Sequence, residues 1–312
     1  MSVQPRWKGM IREFVPPIMI RVKRQIADRL IKSRPRPTAG RSLPGISPVA
    51  RAGDGKMTRH DFLAGIHAAL QPRTYLEIGV NVGTSMALSR ANSIGVDPAF
   101  NVTTPIQCNL ALIRATSDDF FAMPDPLAHF RARSDGADVA PAPVVDLAFI
   151  DGMHLLEYAL NDVINTELHA AWWSVIVLDD VLPRDDLEAS RNRTTVAWTG
   201  DVFKIVEILA ENRPDLIVLT VDTSPTGVAL VLGADDSSRV LRDRYDGIVR
   251  EWVKPDPQLV PAPILAREGA LDPGALLASP LWALLSQARS EQISRPEGLA
   301  RIREAVAAVQ RP

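Results

Sequence analysis

The chain has 312 residues, 46% of them hydrophobic and 23% charged, with a formal net charge of −2, enough for one large domain with appendages and ordinary for a globular fold. That balance gives no general reason to expect nucleic acid as a partner, and the single cysteine, Cys108, excludes an internal disulfide and a cysteine-rich zinc site. No stretch is long and apolar enough to cross a bilayer, and Pro16, Pro17 and several basic residues interrupt the apolar run a secretory leader needs, so the expected location is cytoplasmic.

Residues 1–50 read as a basic arm and linker. Residues 1–51 carry twelve Lys and Arg against two acids, which leaves the rest of the chain acidic. Trp7, Ile11, Phe14 and Ile18, then Val22, Ile26 and Leu30, fall at helical spacing. Pro16 and Pro17 break or kink that run, and "SRPRPTAGRSLPGISP" has the composition of a linker. Apolar faces flanked by Lys and Arg suit a headgroup layer, so peripheral contact of residues 1–40 with the inner face of the membrane is one expectation. Packing on its own domain or on a second copy of the chain, as a homo-oligomer, is the plainer one.

From Lys56 the pattern changes. "MTRHDFLAGIHAAL" predicts a helix with Phe62, Ile66 and Leu70 on one face. Strands are predicted at 74–79, 93–97, 109–115, 144–151, 175–179, 216–221 and 228–232. Helices are predicted at 84–90, 117–122, 155–169 and 201–212. Apolar runs such as "VVDLAFI" and "SVIVL" fit strands buried on both faces, hence a mostly parallel α/β sheet with helices on either side. The short "DTSPTG" cannot hold a helical crossover, so the last two strands should form an antiparallel hairpin. This gives a doubly wound, Rossmann-like, seven-stranded domain over 51–235. A C-terminal extension, 236–312, follows, with helices at "LWALLSQARS" and "GLARIREAVAAVQ" beyond a Pro-rich stretch around 255–263.

In "YLEIGVNVGTS" an apolar strand runs into Glu77-x-Gly79-x-x-x-Gly83 and a helix start, a bend of the nucleotide-binding kind. Gly79 allows a sharp turn and close approach to a ligand, Gly83 opens a helix whose free N–H groups favour an anion, and Thr84 and Ser85 add hydroxyls. Asp97, ending the second strand in "SIGVD", is placed to accept hydrogen bonds from the two ribose hydroxyls of a nucleoside. Each feature alone has a plainer reading, as a glycine turn or a loop cap.

"EIGVNVGTS…GVD" resembles motif I and the following acidic position of class I S-adenosylmethionine-dependent methyltransferases, and the terminal hairpin is a hallmark of their sheet. The resemblance implies that Glu77, Gly79, Gly83 and Ser85 line the methionine side of the cofactor. It further implies that Asp97 holds the ribose and that Asp118, in "RATSDDFF", sits near the adenine. Asn81 and Val82 occupy the middle of the motif, which departs from the G-x-G-x-x-G of NAD dehydrogenases.

"DLAFIDGMH" and "SVIVLDDV" end the fourth and fifth strands in Asp151 and in Asp179-Asp180. If those strands are neighbours their ends lie about 5 Å apart, and three carboxylates converge at the edge where ligands of open α/β sheets bind. Such a cluster repels itself unless a cation compensates it, and all-oxygen ligation suits Mg²⁺; capping of helices and loops is the competing account. His154, three residues beyond Asp151, has an unperturbed pKa suited to proton abstraction near neutrality, with a surface or capping role as its alternative. The spacing resembles metal-dependent O-methyltransferases, namely the catechol and caffeoyl-CoA enzymes and, more closely, the sugar O-methyltransferases of macrolide tailoring. The "IDG-x-H" of the latter is matched by Ile150-Asp151-Gly152-Met153-His154, with Met153 where that group more often has a polar residue. The resemblance covers roughly 56–233. It implies methyl transfer from S-adenosylmethionine to a hydroxyl of a small-molecule or glycan acceptor, a sugar or polyol, with Mg²⁺ held by Asp151, Asp179 and Asp180 and His154 as general base. In "RNRTTVAWTGDVFKI", Trp198 offers a face to an acceptor ring, Asp201 a polar contact, and Arg191 or Arg193 a site for an anionic substituent. The rival classes are a dinucleotide-dependent oxidoreductase and a non-catalytic binding module on the same fold.

Overall fold

The computed structural model describes residues 56–131, 143–291 and 293–309. The basic arm, with the membrane and subunit contacts expected of it, lies outside them. The first helix, α1 (Arg59–Leu70), begins on a capping box. The Thr58 hydroxyl accepts from the Asp61 N–H at 3.1 Å and donates to the Asp61 carboxylate at 2.6 Å, which also takes the Thr58 N–H. Thr58→Ala is expected to lower stability by about 1 kcal/mol, measured by urea unfolding, since it leaves orphaned N–H groups at the helix start.

Seven strands follow as β1 (Thr74–Ile78), β2 (Asn92–Val96), β3 (Leu110–Ile113), β4 (Val145–Ile150), β5 (Ala170–Asp179), β6 (Ile217–Val221) and β7 (Val228–Leu232). They form one sheet in the order β3-β2-β1-β4-β5-β7-β6. Pairing is parallel from β3 to β5, and β7 lies between β5 and β6, antiparallel to both. The seven-stranded Rossmann-like sheet with its antiparallel hairpin is the one expected. Strand β5 starts earlier than its apolar run, at Ala170, and its pairing with β4 is irregular between Ala170 and Val175.

Both faces of the sheet are buried, which is why β4 reads as an apolar run broken only by Asp146, which pairs with Arg73. Leu147 and Phe149 point to a core shared with Phe62, Leu63 and Ile66 of α1, while Ala148 and Ile150 point to the opposite core. That second core takes in α2 (Ser117–Phe121), α4 (Leu156–Glu167) and α5 (Ile205–Asn212) through Phe120, Leu160 and Ile208; α3 (Ala128–Arg131) is a single turn.

Beyond Gly233 the described residues hold five helices where two were expected: α6 (Val240–Trp252), α7 (Ala262–Leu265), α8 (Pro273–Leu277), α9 (Leu281–Ala288) and α10 (Arg295–Val309). They are part of the core. Trp282 and Leu285 of α9 and Ile302 of α10 are buried with Phe62 and Val175, and the Trp282 indole N–H donates to the Leu276 carbonyl at 2.8 Å. The Pro-rich stretch is likewise tied down. Asp256 accepts the backbone N–H groups of Arg191 and Asn192, each at 2.9 Å, and the Val260 N–H reaches Asp186 at 2.8 Å.

Candidate active site

The bend after β1 carries positive φ at Gly79 (95°), Asn81 (49°) and Gly83 (83°). Its members have partners within the protein. A Cβ on Gly79 would stand 1.9 Å from the Asp151 carbonyl oxygen, and one on Gly83 2.9 Å from a Val102 methyl. The helix expected at 84–90 is a single 3₁₀ turn, Met86–Leu88, so Gly83 opens no helix dipole. The Ser85 hydroxyl donates to Glu77 at 3.0 Å, and Ser89, where the turn stops, takes the Ala91 N–H on its hydroxyl and contacts Ser93.

Glu77 is fully buried and accepts from the Tyr75 hydroxyl at 2.6 Å and from Ser85. Burial pushes its pKa up to about 8, against the two hydrogen bonds. Between the unfolded carboxylate range and pH 8 the folded state therefore keeps a proton that the unfolded chain has lost, and stability falls as pH rises through that window. Glu77→Gln is expected to flatten that fall, read as the difference in melting temperature between pH 6 and pH 9 in roughly matched buffers.

Asp97 ends β2 as expected and is almost wholly buried. One carboxylate oxygen accepts the Asn81 N–H at 2.8 Å and the other the Ala99 N–H at 2.6 Å, so it fixes the bend. Asp118 lies in the first turn of α2, with Asn161 donating to it at 2.5 Å.

The acids after β4 and β5 do converge. Asp151, His154 and Asp180 each offer a donor atom, and these atoms lie within 4.8 Å of one another. His154 Nδ1 is 2.5 Å from Asp180 Oδ2 and its Nε2 3.4 Å from Asp151 Oδ1. Asp180 also accepts from the Thr226 hydroxyl at 2.6 Å, and its backbone sits at φ 64°, a left-handed conformation uncommon for a residue with a Cβ. Asp179 takes a different direction. Its side chain is 1% exposed and its Oδ2 lies 2.7 Å from the Arg59 guanidinium, which also stands 3.8 Å from Asp151.

Arg59 went unnoticed in the sequence, where it is one of many arginines. Only the docking of the α1 start against the strand ends places it there.

Burial raises the pKa of Asp179 and Asp151, reinforced by neighbouring carboxylates and opposed by Arg59. At Asp180 burial is outweighed by His154, Thr226 and Arg59, and the net direction is down. Burial alone would lower the pKa of His154, but Asp180 and then Asp151 outweigh it and the net direction is up. Both Asp179 carboxylate oxygens and His154 Nδ1 are buried without an aligned hydrogen bond. The convergent carboxylates of Asp151 and Asp180, beside an Asp179 held only by an ion pair, fit a divalent cation.

The loop after β5 covers this cluster. The Trp198 ring stacks on His154 with centroids 5.2 Å apart, and the Arg193 guanidinium lies over Trp198 at 5.8 Å. Arg191 and Asp201 are not acceptor contacts. Asp201 is fully buried, takes Arg191 at 2.8 Å and Lys204 at 3.2 Å, and accepts the Leu156 N–H at the start of α4. Arg191 is further held by Glu157 at 2.7 Å. This network fixes the loop to α4, which the spacing of its charges did not reveal.

Along the carboxyl edge the groups follow the strand order: Asp118 beyond β3, Asp97 at β2, the bend at β1, Asp151 and His154 at β4, Asp179 and Asp180 at β5. A sheet of this order, with β7 inserted antiparallel between β5 and β6, is Rossmann-like and consistent with the class I methyltransferase fold. No family model matches the chain, and no curated protein matches it. Among solved structures it is similar to an O-methyltransferase of Bacillus cereus in complex with S-adenosylhomocysteine (13% identity, 71% of this chain and 93% of that one, TM-score 0.37). It is also similar to the O-methyltransferase TomG of Streptomyces achromogenes in complex with S-adenosylmethionine (15%, 68% and 87%, TM-score 0.40). A third is an S-adenosylhomocysteine-bound methyltransferase of Podospora anserina (15%, 72% and 99%, TM-score 0.36).

Proposed function

We propose that the protein is an S-adenosylmethionine-dependent O-methyltransferase acting on a hydroxyl of a small-molecule or glycan acceptor, a sugar or similar polyol, with Mg²⁺ at the acid cluster. The observation that carries this reading is the order of groups along the sheet edge. Asp118, Asp97, the bend and the acid–histidine cluster succeed one another across five adjacent strands, about 19 Å from β3 to β5 at the usual spacing. That is the order of the parts of an extended cofactor followed by its acceptor.

Bound S-adenosylmethionine supplies a methyl group on a sulfonium, and Mg²⁺ supplies charge that orients an acceptor hydroxyl and lowers its pKa. The remaining work falls to side chains of this chain. Asp97 would accept from ribose hydroxyls, and Asp118 would stand on the adenine side. Asp151 and Asp180, with Asp179 beside them, would hold the cation. His154 keeps a proton on Nδ1 towards Asp180 and takes the acceptor's proton at Nε2. Trp198 and the loop after β5 keep water from that nitrogen and align the acceptor, the larger part of the rate gain.

Titration calorimetry with S-adenosylhomocysteine and with NADH, each with and without Mg²⁺, tests the class. Binding of S-adenosylhomocysteine with NADH silent is the expected result; NADH binding alone would make the chain an oxidoreductase. A screen of sugar against catechol acceptors, before and after EDTA treatment, tests acceptor and metal separately.

A further inference from the structure

We propose that Arg59 is a built-in counter-cation of the acid cluster and competes with the divalent cation for it, so that the metal loads only when this guanidinium withdraws; this rests on the functional reading above. The cluster brings three carboxylates together at the ends of β4 and β5, two of them buried. Coulomb repulsion among them must be offset for the chain to fold without a metal. Arg59 does this from outside the sheet. One guanidinium nitrogen lies 2.7 Å from Asp179 and the other 3.8 Å from Asp151, so a single planar group spans the two strand ends. It thereby holds Asp179 apart from Asp151 and Asp180, leaving two carboxylates for the cation where three were expected to serve.

The position is a defined one. Arg59 is the first residue of α1, behind the Thr58 capping box. Its own N–H donates to the Ser224 carbonyl at 3.1 Å, and the Ser224 N–H donates to the Met57 carbonyl at 2.9 Å, so the backbone is pinned to the β6–β7 turn. The side chain is not: it is 28% exposed, against 1% for Asp179, which leaves the guanidinium a route to solvent over fixed carboxylates. Asp179 makes no aligned hydrogen bond with it, so its hold is chiefly ionic and exchangeable for another cation.

The test is titration of Mn²⁺ alone, by calorimetry and electron paramagnetic resonance, into the full chain and into R59Q and R59K. Glutamine keeps a donor for Asp179 but removes the charge; lysine keeps the charge and tests the site even if the neutral variant fails to fold. R59Q is expected to bind Mn²⁺ about tenfold or more tightly than wild type, and R59K to stay within about threefold of it. Equal affinity of wild type and R59Q, or tighter binding by R59K than by both, overturns the proposal while leaving the methyltransferase reading intact. Absence of Mn²⁺ binding in all three overturns the proposal and the metal together, and S-adenosylhomocysteine titrated into the same samples then shows whether the cofactor reading stands.

Discussion

Replacing His154 with alanine is expected to lower turnover by about 10² to 10⁴-fold while leaving affinity for S-adenosylhomocysteine nearly unchanged. The size follows from what the imidazole does. Asp180 stands 2.5 Å from Nδ1 and is itself fixed by the Thr226 hydroxyl and a left-handed backbone, so one ring nitrogen faces Asp180 and the other, 3.4 Å from Asp151, is the one proposed as base. Stacking of Trp198 limits rotation of the ring. The separation of effects follows from position, because His154 lies beyond β4, whereas Asp97, proposed for the ribose, ends β2, two strands away. A steady-state assay at saturating cofactor, paired with calorimetry, checks both halves. Turnover within about threefold of wild type would move the proton to another group. Turnover and cofactor affinity falling together would make His154 a structural residue of the cleft.

The parts of this arrangement that rest on local pattern were legible in the sequence. The runs in β1, β4 and β5 alternate between two buried faces, and such strands announce themselves by mostly apolar residues on both. The short link before β7 could hold nothing but a hairpin, and Asp97, Asp151, Asp179 and Asp180 stand at strand ends because their strands stop there. What was not legible depends on contacts distant in sequence. Arg59 reaches Asp179 only because α1 docks its first turn at the sheet edge. Arg191 and Asp201 looked like acceptor contacts, yet in the fold they close a buried network with Glu157 and Lys204. The helix expected after Gly83 is one 3₁₀ turn, and it stops where the Ser89 hydroxyl takes the Ala91 N–H, a contact that spacing alone conceals.

Gly79→Ala is expected to destabilise the protein by about 2–4 kcal/mol, a fall in melting temperature of roughly 5–15 °C for a unit of this size. Two costs add. At φ 95° a side chain is strained whatever surrounds it, and the new methyl carbon would stand 1.9 Å from the Asp151 carbonyl oxygen and 2.5 Å from its carbon. Neither partner can retreat cheaply. The Gly79 N–H is bonded to Val96 at 2.9 Å and the Asp151 N–H to Ile78 at 2.8 Å, so both segments are pinned to the sheet. Relief therefore has to come from shifting Asp151, which carries the damage into the acid cluster and lowers turnover as well. Gly83→Ala is the control, since its nearest neighbour is a Val102 methyl at 2.9 Å, a side chain that can rotate away, and its loss should be smaller. Thermal unfolding of both variants, beside their S-adenosylhomocysteine affinity, separates two reasons for a glycine here. A stable Gly79→Ala protein that has lost only cofactor affinity would mean the position is reserved for the ligand; an unstable one means that it is first the seat of Asp151, and that the bend and the acid cluster are one construction.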